Sequence, residues 1–225
     1  GVAATHLRGI STSRPRRRRE PSAECPHGES TPYSTGDPQV DVSGLARKHV
    51  ADRADWLRNR DREVAAAEPA HGDLRIILDG LRSGENVGSV LRTAETAGVG
   101  AVYCCGTTPT PPNPAVLRAA MGAADFVNVA REPSTLDAVL ALQGDGVTVW
   151  ACETTARSED LLAAAEPPPK PLALVFGHEE FGVHVDVLAA ADAIVAIPTF
   201  GKKNSLNVAN ACAIAVFDVV RRWRA

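Results

Sequence analysis

The sequence predicts an α/β fold: a mostly parallel sheet with helices on both faces, preceded by a disordered N-terminal arm and a helix. Three observations carry this reading. From Leu74 onward, short apolar runs alternate with segments of helical length, as a parallel sheet covered on both faces requires. Glycine, proline and polar residues cluster where each run ends, which bounds the runs as strands. Hydrophobic residues make up 44% of the 225 residues, enough for a sizeable core, but only 4% are aromatic, so Ala, Val, Leu and Ile must build it.

Residues 1–42 are rich in Ser, Thr, Pro, Gly and Arg without apolar periodicity, which predicts disorder. Arg14 and Arg16 to Arg19 form a dense basic cluster, followed by Glu20, Glu24 and Glu29. It reads as a nucleic-acid arm, as part of an organelle transit peptide or as a solvated tail, and the start at Gly1 is consistent with a processed or truncated product. Residues 43–70 read as a helical extension, with Leu45, Val50, Ala54, Leu57 and Val64 among many charges and Trp56 as an anchor. Residues 71–225 form the main domain. Its strands are expected at 74–78, 101–105, 126–129, 147–152, 172–176 and 193–197, and its helices at 87–97, 115–121, 135–142, 185–190 and 206–224.

No apolar run approaches the ~20 residues that span a membrane. The five cysteines include no Cys-x-x-Cys pair; Cys104, Cys105 and Cys152 fall in expected strands and Cys212 in the last helix. They read as reduced core residues of an intracellular protein, in the cytoplasm or in an organelle if the arm is a transit remnant. Residues 74–225 carry 12 Lys and Arg against 16 Asp and Glu, a balance of −4, whereas the first 73 carry 12 against 11, or +1. A main domain with that balance needs a local basic patch, a partner or the arm to bind a polyanion.

Three strand ends run into polar turns. The first expected strand leads to Asn86-Val87-Gly88-Ser89-Val90-Leu91-Arg92, the fifth to Gly177-His178-Glu179, and the sixth ends at Ile197-Pro198. From there a glycine loop, Gly201-Lys202-Lys203-Asn204, enters the last helix on Ser205-Leu206-Asn207-Val208. Read singly, Ser205 and Asn86 are helix N-caps, Arg92 pairs with Glu95 three residues on, and Ile197 and Leu206 are core. Read together, they aim hydroxyl, amide and backbone N–H groups at one point beyond the strand ends, where open α/β sheets hold ligands. His178 and His184 are six apart, not the four that puts two histidines on one helical face, so no metal is assigned. Gly80, Gly84 and Gly88 are spaced by four, which argues against a dinucleotide-binding oxidoreductase.

The three segments, in order, resemble the motifs of the SpoU (TrmH-like) RNA 2′-O-methyltransferases of the SPOUT superfamily: Asn-x-Gly-x-x-x-Arg, Gly-x-Glu, and Ile-Pro followed by Ser-Leu-Asn. The resemblance runs from about Leu74 to Arg224 and includes the link at 107–114. It implies S-adenosylmethionine as methyl donor, with adenine among backbone groups at Gly177, Ile197 and Leu206, and with Thr154 and Ser205 nearby. It also implies that Arg92 acts on the 2′-hydroxyl, that Asn86 fixes the ribose or Arg92, that Asn207 partners the ribose or the donor, and that Glu179 orders the ligand loop or pairs with Arg92. Structured RNA, either tRNA or rRNA, is the implied substrate. A C-terminal trefoil knot and a homodimer through it are implied in the same way, because no patterning argument proposes a knot. The segment from Arg118 to Ala123 departs from the Lys-Thr-Ala-Leu-Gly-Ala of relatives, and His178 replaces a smaller or amide residue. A rival reading is a non-catalytic RNA-binding or assembly subunit that kept the fold.

Overall fold

The computed structural model describes residues 69–163 and 166–225; the arm, the helical extension with Trp56, and Cys25 lie outside them. Seven strands form one sheet: β1 (His71–Asp79), β2 (Val99–Cys105), β3 (Val129–Glu132), β4 (Thr148–Cys152), β5 (Glu159–Asp160), β6 (Leu172–Gly177) and β7 (Ala193–Ala196). Their order is β3-β2-β1-β6-β4-β7-β5, and every pairing is parallel. Five helices cover it: α1 (Gly84–Ala97), α2 (Pro114–Ala120), α3 (Thr135–Gly144), α4 (Val185–Ala190) and α5 (Val208–Arg224). None of the described helices is long and apolar enough to cross a membrane.

Alternation along the central strands divides the core in two. On one face Leu74, Ile76 and Leu78 of β1 join Leu172, Leu174 and Phe176 of β6 beneath α1, α2 and α5. On the other face Ile77, Ala173 and Val175 pack with Val149 and Ala151 of β4 beneath α3 and α4. Cys104, Cys105 and Cys212 are buried and unbridged. Burial pushes the Cys104 and Cys105 thiols up to about 11 and about 12, so both stay protonated at neutral pH.

The expected elements appear with shifted ends, each for a local reason. The third strand lies at Val129–Glu132 and not at 126–129. Phe126 instead closes a short 3-10 turn (Ala123–Asp125) and is 66% exposed. The true strand is polar because it is an edge, paired only with β2. Asn86 is not the cap of α1: the helix starts earlier, and Ser83 Oγ accepts from the Asn86 N–H at 3.2 Å. Ser205 is likewise not a cap, because α5 begins at Val208 on Asn207, whose Oδ1 accepts from the N–H groups of Ala209 and Asn210. Two-residue β5 had no sequence signal.

Gly88 sits where α1 and α2 cross. A Cβ there would run into the Val116 carbonyl oxygen and the Ala119 side chain, so the glycine of the first motif is a helix-packing residue.

Candidate functional site

Beyond the carboxyl ends of β4, β6 and β7 lies a cavity of about 590 Å³. That size is ordinary for a small-molecule site. Thr154, Gly177, Ile197, Ser205 and Leu206 all line it, as do Glu179 and Asn207. Its inner wall is apolar, with Leu161, Phe176, Val195, Val208 and Ala211; its rim carries the carboxylates of Glu153, Glu179 and Glu180.

One hydrogen-bonded chain joins the three motifs across 93 and 121 residues of sequence. Asn86 Nδ2 donates to Glu179 Oε1 at 2.8 Å, and Asn207 Nδ2 donates to Asn86 Oδ1 at 3.0 Å. The direction follows from the inventory of groups. An ionised carboxylate only accepts, so Asn86 must turn its NH₂ toward Glu179 and offer its oxygen to Asn207. That leaves the Asn207 oxygen free to cap α5.

Glu179 also accepts from the backbone N–H groups of Arg82 (2.8 Å) and Ser83 (3.0 Å) in the turn entering α1. Burial opposes its charge, but the Arg82 N–H, the Asn86 amide and the Ser83 N–H outweigh it and pull the carboxyl down to about 2. Its partners in the structure are thus groups of the turn entering α1, whereas the Arg92 guanidinium bonds Met121.

Two further carboxylates escaped the sequence reading. Glu153, just past β4, accepts from the Val183 N–H at 3.0 Å and the Thr154 N–H at 2.8 Å. Asp79, the last residue of β1, accepts from the His184 N–H at 2.8 Å and from the Thr135 hydroxyl. The only available signal was an acid at the end of an apolar strand, a pattern too common to stand out. The loop that they hold is also tied to itself: His178 and Gly182 exchange both backbone hydrogen bonds, and the His178 ring stacks on Phe181 with centroids 4.8 Å apart. A Cβ on Gly177 would collide with the backbone of Gly182 and Val183, so this glycine permits the loop's return and is more than a slot for a ligand.

His178 Nδ1 accepts from the Glu180 N–H, and His184 caps α4 by accepting from the Asp186 N–H. Among the described residues no group of three or more His, Cys, Asp or Glu side chains is arranged to hold a metal.

Arg92 is not part of the cavity lining. It is exposed on α1 with Nη1 3.0 Å from Met121 Sδ, and no ion pair joins it to Glu95, contrary to the simplest expectation. Ser205 lines the cavity without a hydrogen bond among the described residues.

An all-parallel sheet with a pocket past its strand ends is the arrangement in which open α/β proteins hold ligands, and the Asn86–Glu179–Asn207 chain borders that pocket. The chain belongs to the SpoU rRNA Methylase family, whose model matches residues 73–217. It is 31% identical over 174 residues to the tRNA (guanosine(18)-2′-O)-methyltransferase of Thermus thermophilus, covering 77% of this chain and 86% of that one. It is 29% identical over 198 residues to the 23S rRNA (guanosine-2′-O-)-methyltransferase RlmB of Vibrio cholerae, covering 81% and 78%. The AdoMet-bound rRNA methyltransferase from Sinorhizobium meliloti superposes with a TM-score of 0.62 at 32% identity. That alignment covers 69% of this chain and spans 58% of the longer Sinorhizobium chain.

Proposed function

We propose that the protein transfers a methyl group from S-adenosylmethionine to the 2′-hydroxyl of a ribose in tRNA or rRNA. The carrying observation is the convergence of Thr154, Gly177, Ile197, Ser205 and Leu206 on one cavity, bordered by the hydrogen-bonded chain from Glu179 through Asn86 to Asn207. The donor supplies an electrophilic methyl on a positively charged sulfonium, and both its parts suit the cavity. An apolar wall of Leu161, Phe176 and Val195 accepts a purine face, and the Glu153, Glu179 and Glu180 carboxylates favour a net positive ligand. Backbone groups at Gly177, Ile197 and Leu206 offer donors and acceptors to an adenine edge.

In this reading Arg92 holds the ribose hydroxyl and the adjacent phosphate. Its guanidinium stays protonated and so orients the hydroxyl without serving as an ordinary base. Asn86, Asn207 and Ser205 fix the ribose and the donor, and Glu179 keeps Asn86 in place. The reading includes a trefoil knot in the C-terminal third and a homodimer through it. Arg92 stands apart from the cavity of its own chain, which supports a site completed between two subunits.

Calorimetry with S-adenosylmethionine alone tests the donor site: the wild type binds, and Thr154→Trp, which fills the cavity from its exposed rim, does not. Gly177→Trp is the poorer probe because it breaks the loop. Transfer of labelled methyl to bulk tRNA and rRNA, followed by mapping of 2′-O-methyl positions, separates enzyme from scaffold. Donor binding without transfer to any RNA would favour the non-catalytic subunit.

A further inference from the structure

The loop between β7 and α5 has a part that the cavity does not use. Thr199, Asn204, Ser205 and Leu206 line the cavity, but Phe200, Gly201, Lys202 and Lys203 stand outside it and border only a shallow hollow on the loop itself. Phe200 is 95% exposed, the most exposed of the large hydrophobic side chains among the described residues. An aromatic ring held fully in water is a candidate contact surface.

The charge along its own stretch of chain is one-sided. From Ala193 to Phe217 there is no Asp or Glu, although residues 74–225 as a whole are net −4 (12 basic against 16 acidic). Several other cations of the domain are engaged, Arg118 with Glu85, Arg221 and Arg222 with Asp218, and Lys170 over the Trp223 ring. Lys202 and Lys203 are exposed, and neither pairs with a carboxylate among the described residues. This loop is therefore a local basic patch of the kind that an acidic domain needs for a polyanion.

We propose that Phe200 is a stacking platform for an unpaired base of the RNA substrate, and that Lys202 and Lys203 hold the phosphates flanking that base. The choice of RNA as occupant rests on the methyltransferase reading above. The chemistry matches single-stranded RNA in two respects. Aromatic side chains stack on any base, because every base has a π-face, and lysines two and three residues away supply point charges for the backbone. A ribose whose 2′-oxygen must reach a donor in a recessed cavity is also most readily presented by an unpaired nucleotide, so a clamp at the rim would hold its neighbour.

The test uses the full chain, a short fluorescent single-stranded RNA oligonucleotide of mixed sequence, and anisotropy over a series of salt concentrations. Lys202→Ala with Lys203→Ala should reduce the slope of log affinity against log salt by about 1.4, at ~0.7 per released phosphate contact. Phe200→Ala should weaken binding on the order of 10-fold with the slope unchanged, and Phe200→Trp should retain it. Calorimetric affinity for S-adenosylmethionine should be unaltered in all three variants. Unchanged affinity and slope in the variants, or a wild type that binds the donor but not the oligonucleotide, overturns the clamp and leaves the methyltransferase reading intact. Dissociation of a dimer by Phe200→Ala, seen in sedimentation velocity, would make the ring a contact between copies and also overturn it. A wild type that fails to bind S-adenosylmethionine overturns the methyltransferase reading, and the clamp with it.

Discussion

On one side of the cavity, the 178–184 loop is fixed by Glu153 at the Val183 N–H and by Asp79 at the His184 N–H. It sends out Glu179 to fix the turn entering α1 in its turn. On the other side, residues 198–206 make no hydrogen bond among the described residues, and 199–206 are all exposed. The first wall uses strand-end carboxylates because these only accept, and backbone N–H groups in a turn only donate. Each such contact is a charge-assisted hydrogen bond, stronger than a neutral one. The second wall has few contacts to lose and belongs to the low-stability end of the molecule, where ligand-contacting loops are drawn from. One wall is held by hydrogen bonds within the protein; the other is not.

The largest test of this contrast is Glu179→Ala, which leaves two backbone N–H groups and the Asn86 amide without their acceptor. Methyl transfer should fall ~10³-fold, since Asn86 and Asn207 lose their alignment together. Stability should drop by about 1 kcal/mol, because water can reach the exposed donors, read as a Tm lowered by roughly 3 °C. A Glu179→Ala protein with wild-type Tm would mean that the pinned wall is not pinned by this residue.

Arg92→Ala should lower single-turnover transfer by ~10²-fold while leaving Tm and donor affinity unchanged, because among the described residues its side chain bonds only the exposed Met121 sulfur. Arg92→Lys should fail too, since a point charge cannot replace a planar fork. If Arg92 serves the cavity of the other subunit, mixing Arg92→Ala with the donor-dead Thr154→Trp chain should restore part of the activity. No recovery in verified mixed dimers would place each site within a single chain.

Acid should act on the pinned wall selectively. Glu179 has a folded pKa of about 2, below its ordinary 4.5, so the folded state binds fewer protons than the unfolded state between those values. Its contribution to stability is complete above pH 4.5 and is lost as pH falls toward 2. The Tm of the wild type should decline through that window more steeply than that of Glu179→Gln. Parallel curves would remove the carboxylate from the account. At the small end, Thr199→Ala should shift stability by less than ~0.5 kcal/mol, within the range of ordinary surface changes. A larger loss would show contacts in the second wall that its geometry lacks.

Much of the fold was legible because strand signals are local. The runs at β1 and β6 alternate between two faces over a few residues, and any window containing them carries the pattern. The β3 error has the same root: Phe126 and Val127 look like a buried strand, and only the edge position beside β2 explains why a strand should hold Arg131 and Glu132. The caps were misread by three residues at α1 and two at α5. Several polar residues compete near each helix start, and the winner depends on where the chain enters the turn.

The sequence by itself determined the alternating α/β pattern, the family and part of the cavity lining (Thr154, Gly177, Glu179, Ile197, Ser205, Leu206 and Asn207), most of it written in short motifs at strand ends. Only the tertiary structure decided that Asn86 bonds Glu179 and Asn207, that Glu153 and Asp79 hold the loop beside them, and that Arg92 lies apart from its own cavity. The reason is sheet order. β6 enters between β1 and β4, setting Asp79 beside Gly177 and bringing residues a hundred positions apart within hydrogen-bond reach. Local periodicity cannot encode such an insertion, because it describes which face a residue takes and not which strand lies next to it.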